Sequence, residues 1–389
     1  MTKKEPIPFQ GYIEGYYGRL LSWEDRDRLI INLRKNKMHY YFYAPKEDLY
    51  HRFNWKINYD KNWEIEFKKF CLKAKSNNIK VIIGISPGLD FNFTQYTQNL
   101  SKKNKSNDFK ILCKKATFLL NAGAHEIALL FDDLPNNFYK KFDRVVSEGR
   151  THAFLTNDLS KKLNKNIFVV PRIYADQLII EDKTYLFDFG KIINKNTTTF
   201  YCGKNIVSKT IDNKALLKIS KLIPTNIIIW DNFYSNDYCP RKLFIGPLIG
   251  RSNIQNIMIN PTGLIETDLL ILDIVKATKK SKNPKLDWEN VLKKHKVPIA
   301  FFNLSNYFLK PAFGENPNLE KIYITNKNIE SLESLLWKWK SPLSREWYPF
   351  LLGLKHDLQL FKRDLSSERI IKTQTCALSN YILNDGEII

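Results

Sequence analysis

The sequence predicts an α/β chain: a (β/α)8 barrel followed by a smaller helical C-terminal domain. Three observations predict it. Short apolar runs bounded by turn residues alternate with stretches of helical period, the pattern of βαβ units around a parallel sheet. Eight such runs fall within about the first 280 residues, the length a closed barrel requires. The glycine fingerprint GxGxxG of an open, dinucleotide-binding sheet is absent.

The first strand is expected at Gly11–Glu14. A helix follows from Ser22, with Ser22 as cap and Asp25 at the third helical position, and Leu29, Ile30 and Leu33 share its apolar face. The second strand is Tyr40–Ala44, and the next helix, Trp63–Ser76, carries Phe67, Phe70, Cys71 and Ala74 at helical spacing. Lys80–Ile85 is the third strand, closed by Ser86–Pro87–Gly88, and a helix over Asp108–Asn121 follows. The fourth strand, Ile127–Phe131, is wholly apolar and ends in Asp132–Asp133. A helix over Ser147–Leu163 leads to a fifth strand at Asn166–Val170. The sixth strand is Thr197–Tyr201, its helix Asn213–Leu222, the seventh strand Asn226–Trp230 and the eighth Asn256–Ile259. A helix over Glu266–Lys279 closes the set.

Composition shifts after Lys279. The basic, polar stretch Lys279–Pro284 reads as a linker, so residues 1–282 are expected to form the barrel and 283–389 the helical domain. Helices are expected there at Trp288–Lys294, Asn328–Trp339 and Trp347–Phe361. Pro349 would fall in the first turn of the last, where its missing N–H costs nothing. Leu351, Leu354, Leu358 and Phe361 lie on one stripe of that helix.

The composition excludes several classes. With 25 Phe, 19 Tyr and 8 Trp in 389 residues and 43% hydrophobic content, the chain is too rich in core-forming residues to be disordered. No apolar run approaches the roughly 18 residues of a membrane-spanning helix. The opening MTKKEPIPFQ lacks the apolar core of a secretory signal, so a cytoplasmic protein is expected. Cys71, Cys113, Cys202, Cys239 and Cys376 are far apart and form no CxxC, the usage of reduced thiols. No metal-ligand spacing occurs, and neither metal nor other cofactor is expected. The net charge of +21 raises the question of a polyanionic partner. The lysines, however, spread along the whole chain among Asn and Ile, with no arginine-rich arm or zinc finger. A solvated surface is the expectation, not a nucleic-acid partner.

In a barrel of this type the site lies beyond the carboxyl ends of the strands. There the sequence gathers polar groups: Glu14 to Arg19 after the first strand, Lys46 after the second, Asp132–Asp133 after the fourth, and Arg172 and Tyr174 after the fifth. Asp231, Asn232 and Asp237 follow the seventh, and Asn260 the eighth. Asp132–Asp133 is the sharpest signal. Two adjacent carboxylates at a buried strand end repel one another and suit acid/base work in which one is protonated and its neighbour ionised. A helix cap or a solvated pair is the ordinary alternative. Gly11, Gly15 and Gly18 cluster at the first strand, where glycine permits close approach to a ligand or simple turn geometry. Taken singly, Lys46 fits an ordinary surface lysine, Trp230 a core residue or pocket floor, and Tyr174 a core-edge tyrosine.

Several segments together resemble glycoside hydrolase family 84, the O-GlcNAcases and bacterial β-N-acetylglucosaminidases. They are Gly11–Arg19 (GYIEGYYGR), Tyr43–Asp48 (YAPKED) with His51–Arg52, Ile85–Asp90 (ISPGLD), Leu129–Asp133 (LLFDD), Ile229–Asn232 (IWDN) with Asn236–Asp237, Leu243–Pro247 (LFIGP) and Asn260–Pro261. They occur in order over about 250 residues, most of the expected barrel.

The resemblance implies a retaining exo-β-N-acetylglucosaminidase that uses the substrate's own 2-acetamido group as nucleophile. It implies Asp132 as the carboxylate that orients and polarises that group, and Asp133 as the general acid/base, protonated at the outset with the charge of Asp132 helping to keep it so. Gly15, Lys46, Asn232, Asp237 and Asn260 match positions that hold sugar hydroxyls or the acetamido group. Tyr174 matches a tyrosine that closes around it, and Trp230 would line the pocket. The implied partner is a GlcNAc-bearing glycan or glycoprotein. Two departures stand out: Arg172-Ile173 where the family often has Thr-Glu, expected to put a cation beside the pocket and to alter the aglycone accepted, and Tyr201 where a tryptophan is expected. A GlcNAc-recognising barrel without turnover and a glycan-degrading hexosaminidase or hyaluronidase-like enzyme are the alternatives. The intact Asp132–Asp133 pair argues against the first.

Overall fold

The computed structural model describes residues 8–97, 106–138, 147–311 and 325–362, with side chains in the last stretch described to residue 358. The N-terminal residues 1–7, Phe361 as a side chain and Cys376 therefore lie outside it.

Eight parallel strands close into a barrel in chain order. They are β1 (Gln10–Glu14), β2 (Tyr40–Tyr43), β3 (Lys80–Ile85), β4 (Glu126–Leu130), β5 (Phe168–Val170), β6 (Thr198–Tyr201), β7 (Asn226–Asp231) and β8 (Ile257–Ile259). β1 opposes both neighbours at closure: Gly11 pairs with Tyr40 of β2 and with Met258 of β8. Alternate residues point inward, as the period of a strand requires. Thus Phe42, Phe200 and Trp230 meet inside the barrel with ring centroids 5.1–5.9 Å apart. The interior is a packed core, and in a barrel of this type the site lies beyond the carboxyl ends of the strands.

The connecting helices are α1 (Trp23–Lys35), α2 (Lys61–Ser76), the single turn α3 (Thr94–Thr97), α4 (Asn107–Asn121), α5 (Glu148–Leu163), α6 (Tyr185–Ile192) and α7 (Asn213–Leu222). Ser22 caps α1 as expected, accepting from Asp25 N–H at 3.1 Å; its hydroxyl also donates to the Asp25 carboxylate at 2.8 Å. Helix α6 was not foreseen. Its eight residues, YLFDFGKI, make barely two turns, too few to show a sustained helical period in sequence. Burial of Tyr185, Leu186 and Phe189 stabilises it, a tertiary contribution that outweighs weak local propensity.

The chain divides into two compact units: Met1–Asn232 with Asn253–Asn260, which holds the barrel strands, and Phe233–Ser252 with Pro261–Ile389. The second unit contains α8 (Ile265–Thr278), α9 (Pro284–Lys294), α10 (Asn326–Trp337) and α11 (Pro342–Lys362). The N-terminal N–H groups of α8 have no side-chain cap of their own. Glu346 of α11 supplies one, its carboxylate accepting from Glu266 N–H at 2.9 Å and Thr267 N–H at 2.8 Å, where the helix dipole favours negative charge. Trp347 Nε1 adds a bond of 3.0 Å to Thr267 Oγ1. Leu351, Leu354 and Leu358 of the expected stripe are buried. Because α11 begins at Pro342, Pro349 lies inside the helix and not in its first turn, where its missing N–H forgoes a hydrogen bond to the carbonyl four residues back. Among the described residues no helix is long and apolar enough to cross a membrane.

Candidate active site

The site begins where β4 ends. Phe131 N–H donates to Val170 O at 2.9 Å, carrying the β4–β5 pairing one residue beyond the strand. The chain then turns sharply. Asp133 sits at φ +54°, a left-handed conformation that few residues other than glycine adopt but that aspartate tolerates. This turn sends adjacent carboxyl groups into different surroundings.

Asp132 is 5% exposed. Its Oδ2 accepts from the buried ammonium of Lys46. Its Oδ1 is buried and has no hydrogen-bond partner among the described residues, although a buried carboxylate oxygen ordinarily has one. Asp133 reaches solvent. Its Oδ1 accepts from the Tyr174 hydroxyl and its Oδ2 from the Tyr17 hydroxyl, each at 2.8 Å. Lys46 Nζ stands 3.7 Å from the same Oδ2. Arg52 locks the turn: Nη1 donates to Tyr17 Oη at 2.6 Å and Nη2 to the Asp133 carbonyl at 2.8 Å.

Burial works against charge on Asp133, but Lys46, the Tyr174 and Tyr17 hydroxyls and Arg52 outweigh it and hold the carboxyl below its usual range. The expectation that Asp132 keeps Asp133 protonated is therefore corrected: Lys46 lies against both carboxylates and favours the ionised acid. The same carboxylate, together with burial, pushes the Tyr17 and Tyr174 phenols up, so both remain donors. His51 lies buried with Nδ1 3.0 Å from Gly84 O; burial and Lys46 push it down to about 3, so it is neutral.

A second wall comes from β1, β7 and β8. Gly15 N–H donates to Asn260 Oδ1 at 3.1 Å, and Asn260 Nδ2 donates to Asn232 Oδ1 at 2.9 Å. Trp230 Nε1 donates to that oxygen at 2.9 Å, and Asn232 Nδ2 donates to Ile206 O at 3.0 Å. The network fixes the orientation of both amides. Gly15 is required here, since a Cβ would lie 2.4 Å from the Trp230 ring. Cys202 Sγ is 3.6 Å from Asn232 Nδ2, and burial with the nearby Asp231, Asp132 and Asp133 carboxylates pushes its thiol up, keeping it S–H.

Asp132, Asp133, Lys46 and Tyr174 thus form one bonded cluster, and Gly15, Trp230, Asn232 and Asn260 another. Asp237 belongs to the second compact unit, where its Oδ1 accepts from Tyr238 N–H at 2.9 Å. Sequence reasoning did not single out Tyr17 or Arg52, although both stand within the quoted motifs; only contact with Asp133 reveals their part. Arg172 does not put a cation beside the pocket. It is buried, with Nε 2.8 Å from Glu148 Oε2 and Nη1 2.6 Å from Glu181 Oε2. Tyr201 lies between the inward-facing Phe200 and Cys202, and its hydroxyl donates to Asp176 Oδ1 at 2.6 Å. Among the described residues no group of three or more His, Cys, Asp or Glu side chains could hold a metal ion.

Comparison with known proteins agrees with this geometry. Residues 10–290 match the family described as NAGidase, beta-N-acetylglucosaminidase. The chain belongs to this family, glycoside hydrolase family 84. Its relatives include the protein O-GlcNAcases of Rattus norvegicus and Mus musculus, each 28% identical over 274 residues, or 67% of this chain. The matched part spans 29% of those relatives' own length. A variant of the Thermobaculum terrenum O-GlcNAc hydrolase shares the fold, with a TM-score of 0.75 and 21% identity over 97% of this chain and 87% of that one.

Proposed function

We propose that this member of the family is a retaining exo-β-N-acetylglucosaminidase, hydrolysing terminal β-linked GlcNAc by substrate-assisted catalysis. The observation that carries the reading is the unequal state of the two carboxylates: Asp132 holds a buried oxygen without a hydrogen-bond partner among the described residues, whereas Asp133 is open to solvent and held by two hydroxyl donors. An amide N–H of the substrate would satisfy Asp132 Oδ1 and remove the penalty of an unpaired buried acceptor.

In the first step the acetamido oxygen attacks the anomeric carbon, the bond to the leaving oxygen breaks and an oxazoline forms. Ionised Asp132 accepts the amide N–H and stabilises the positive charge that develops. Asp133 gives its proton to the leaving oxygen. In the second step Asp133 takes a proton from water as that water attacks the anomeric carbon, and the ring opens to GlcNAc with retained configuration. This is one of the exceptions to the scheme with a protein nucleophile. Because the neighbours of Asp133 favour its ionised form, the sugar must enter with that carboxyl protonated; covering it from water strengthens its hold on the proton.

Lys46, Gly15, Asn232 and Asn260 would hold hydroxyls or the acetamido group, Tyr174 would close against that group, and Trp230 would form the floor. The names of the rat and mouse relatives extend the substrate class to GlcNAc on protein serine or threonine. Cys71, Cys202 and Cys239 form no disulfide among the described residues, which fits a reducing, cytoplasmic setting.

The test compares a β-N-acetylglucosaminide with the β-glucoside of the same leaving group. The first should turn over and the second be essentially inert. Equal turnover would exclude the acetamido nucleophile, and GlcNAc binding without any turnover would identify a recognition barrel.

A further inference from the structure

Behind the acid/base lies a buried cluster that the proposed mechanism does not use. Arg172, two residues before Tyr174, is gripped by Glu148 of α5 and by Glu181. Its backbone N–H donates to Tyr185 Oη of α6 at 3.0 Å, and its guanidinium lies 5.5 Å from the centre of the Tyr185 ring. Tyr185 Oη is in turn hydrogen-bonded to His152 Nδ1 of α5 at 2.8 Å. The His152 ring stacks flat on Phe131, centroids 4.0 Å apart and planes within 4°. Phe131 is the residue directly before Asp132–Asp133. Burial and the neighbouring Arg172 keep His152 neutral.

One network therefore touches both halves of the Tyr174–Asp133 contact: His152 backs the strand end that carries Asp133, and Arg172 pins the segment that carries Tyr174. We propose that Glu148, Arg172, Tyr185 and His152 form a positioning clamp that holds the Tyr174 hydroxyl against Asp133 and so tunes the acid/base. A buried guanidinium with two carboxylates contributes little net stability compared with apolar packing, but it fixes geometry through directional, charge-assisted bonds. These are positioning residues; none touches Asp133 itself. The inference rests on reading Asp133 as the acid/base.

The groups facing Asp133 are Tyr17 from the segment after β1, Lys46 and Arg52 from that after β2, its neighbour Asp132, and Tyr174 from that after β5. Within the clamp, burial pushes Glu148 up to about 7 against the pull of Arg172, and Glu181 and Asp182 face it from outside. Tyr→Phe variants alter none of these formal charges, so any shift they cause reports a lost hydroxyl contact.

The experiment measures kcat/KM against pH on an alkyl β-N-acetylglucosaminide, whose departure needs a proton, for the wild type, Tyr174→Phe, Tyr185→Phe and the double variant. Loss of a donor to ionised Asp133 raises its proton affinity, so the pH at which kcat/KM falls should move upward. Tyr174→Phe should move it by roughly one pH unit, the worth of a hydrogen bond to a charged group. Tyr185→Phe should move it the same way by part of that, and the double variant no further than Tyr174→Phe alone. A merely structural role would lower the rate at every pH and leave the fall where it was; that result, or shifts that add in the double variant, overturns the clamp. If Tyr185→Phe does not fold by circular dichroism, Glu148→Gln decides: an upward shift supports the clamp and an unmoved profile overturns it. A wild-type enzyme inactive on GlcNAc glycosides would overturn the acid/base reading and the clamp with it.

Discussion

Lys46→Met removes the cation lying between the two site carboxylates while keeping most of the side-chain volume. Nζ is 3.7 Å from Asp133 Oδ2 and bonded to Asp132 Oδ2. Two unit charges about 4 Å apart interact by about 4 kcal/mol at an effective dielectric constant of about 20, which corresponds to about three pH units. Asp133 reaches solvent, and screening there reduces the figure, so a rise in its proton affinity of about one to three units is expected. The assay is kcat/KM on an alkyl N-acetylglucosaminide from about pH 4 to about pH 8, the range over which protonated Asp133 would limit the first step. The rate falls overall because a sugar contact is lost, but its decline with pH should begin one to three units higher, by the same charge argument.

Stability supplies an independent check. In the wild type the Asp133 carboxyl is held below its ordinary value of 3.8, so its contribution is present above that value and lost as pH falls through the lower, folded one. In the variant the folded value lies higher than in the wild type, so part of that contribution is lost. The melting temperature of the variant should therefore drop further below wild type as the pH rises from the wild-type folded value to the variant's raised one. A rate profile that stays in place or moves to lower pH, or a melting difference that does not change with pH, would refute the placement of Lys46 as the group that ionises Asp133.

Two further outcomes follow from the same geometry. Asp133→Ala should lose far less kcat/KM on an aryl glycoside with a low-pKa phenol than on serine-linked GlcNAc, the difference being the roughly 10²–10⁴-fold of general acid help, while Asp132→Ala should lose similar amounts on both; leaving-group sensitivity in Asp132→Ala would exchange the roles. Ending the chain near Asn283 removes Glu346 and Trp347, which bind the first turn of α8, and should give an insoluble or poorly folded product; a soluble truncation with an unchanged melting temperature would show that α8 does not need them.

The barrel was legible because its signals are local. Each β-strand is a short apolar run, and Ser22 announces the start of α1 by its own side chain. The positions of Asp132, Lys46, Tyr174 and Asn260 were legible for a related reason: a parallel barrel brings every strand's carboxyl end to one face, so sequence order alone gathers those residues. Helix α6 escaped because its eight residues make barely two turns, and the interior place of Pro349 escaped because α11 begins at Pro342, five residues before the expected start at Trp347.

By itself the sequence determined the strand count, the order around the barrel and the list of polar groups at its mouth. Only the tertiary structure decided their states. The left-handed turn at Asp133 buries one carboxylate and opens its neighbour, a distinction two adjacent identical residues cannot express in sequence. Lys46, 86 positions before Asp132, favours ionised Asp133 where Asp132 was expected to favour its protonated form, since charge acts over a few ångströms whatever the separation along the chain. Arg172, expected beside the pocket, was drawn inward by Glu148 and Glu181, 24 residues before it and 9 after, because paired carboxylates offset the cost of burying a guanidinium.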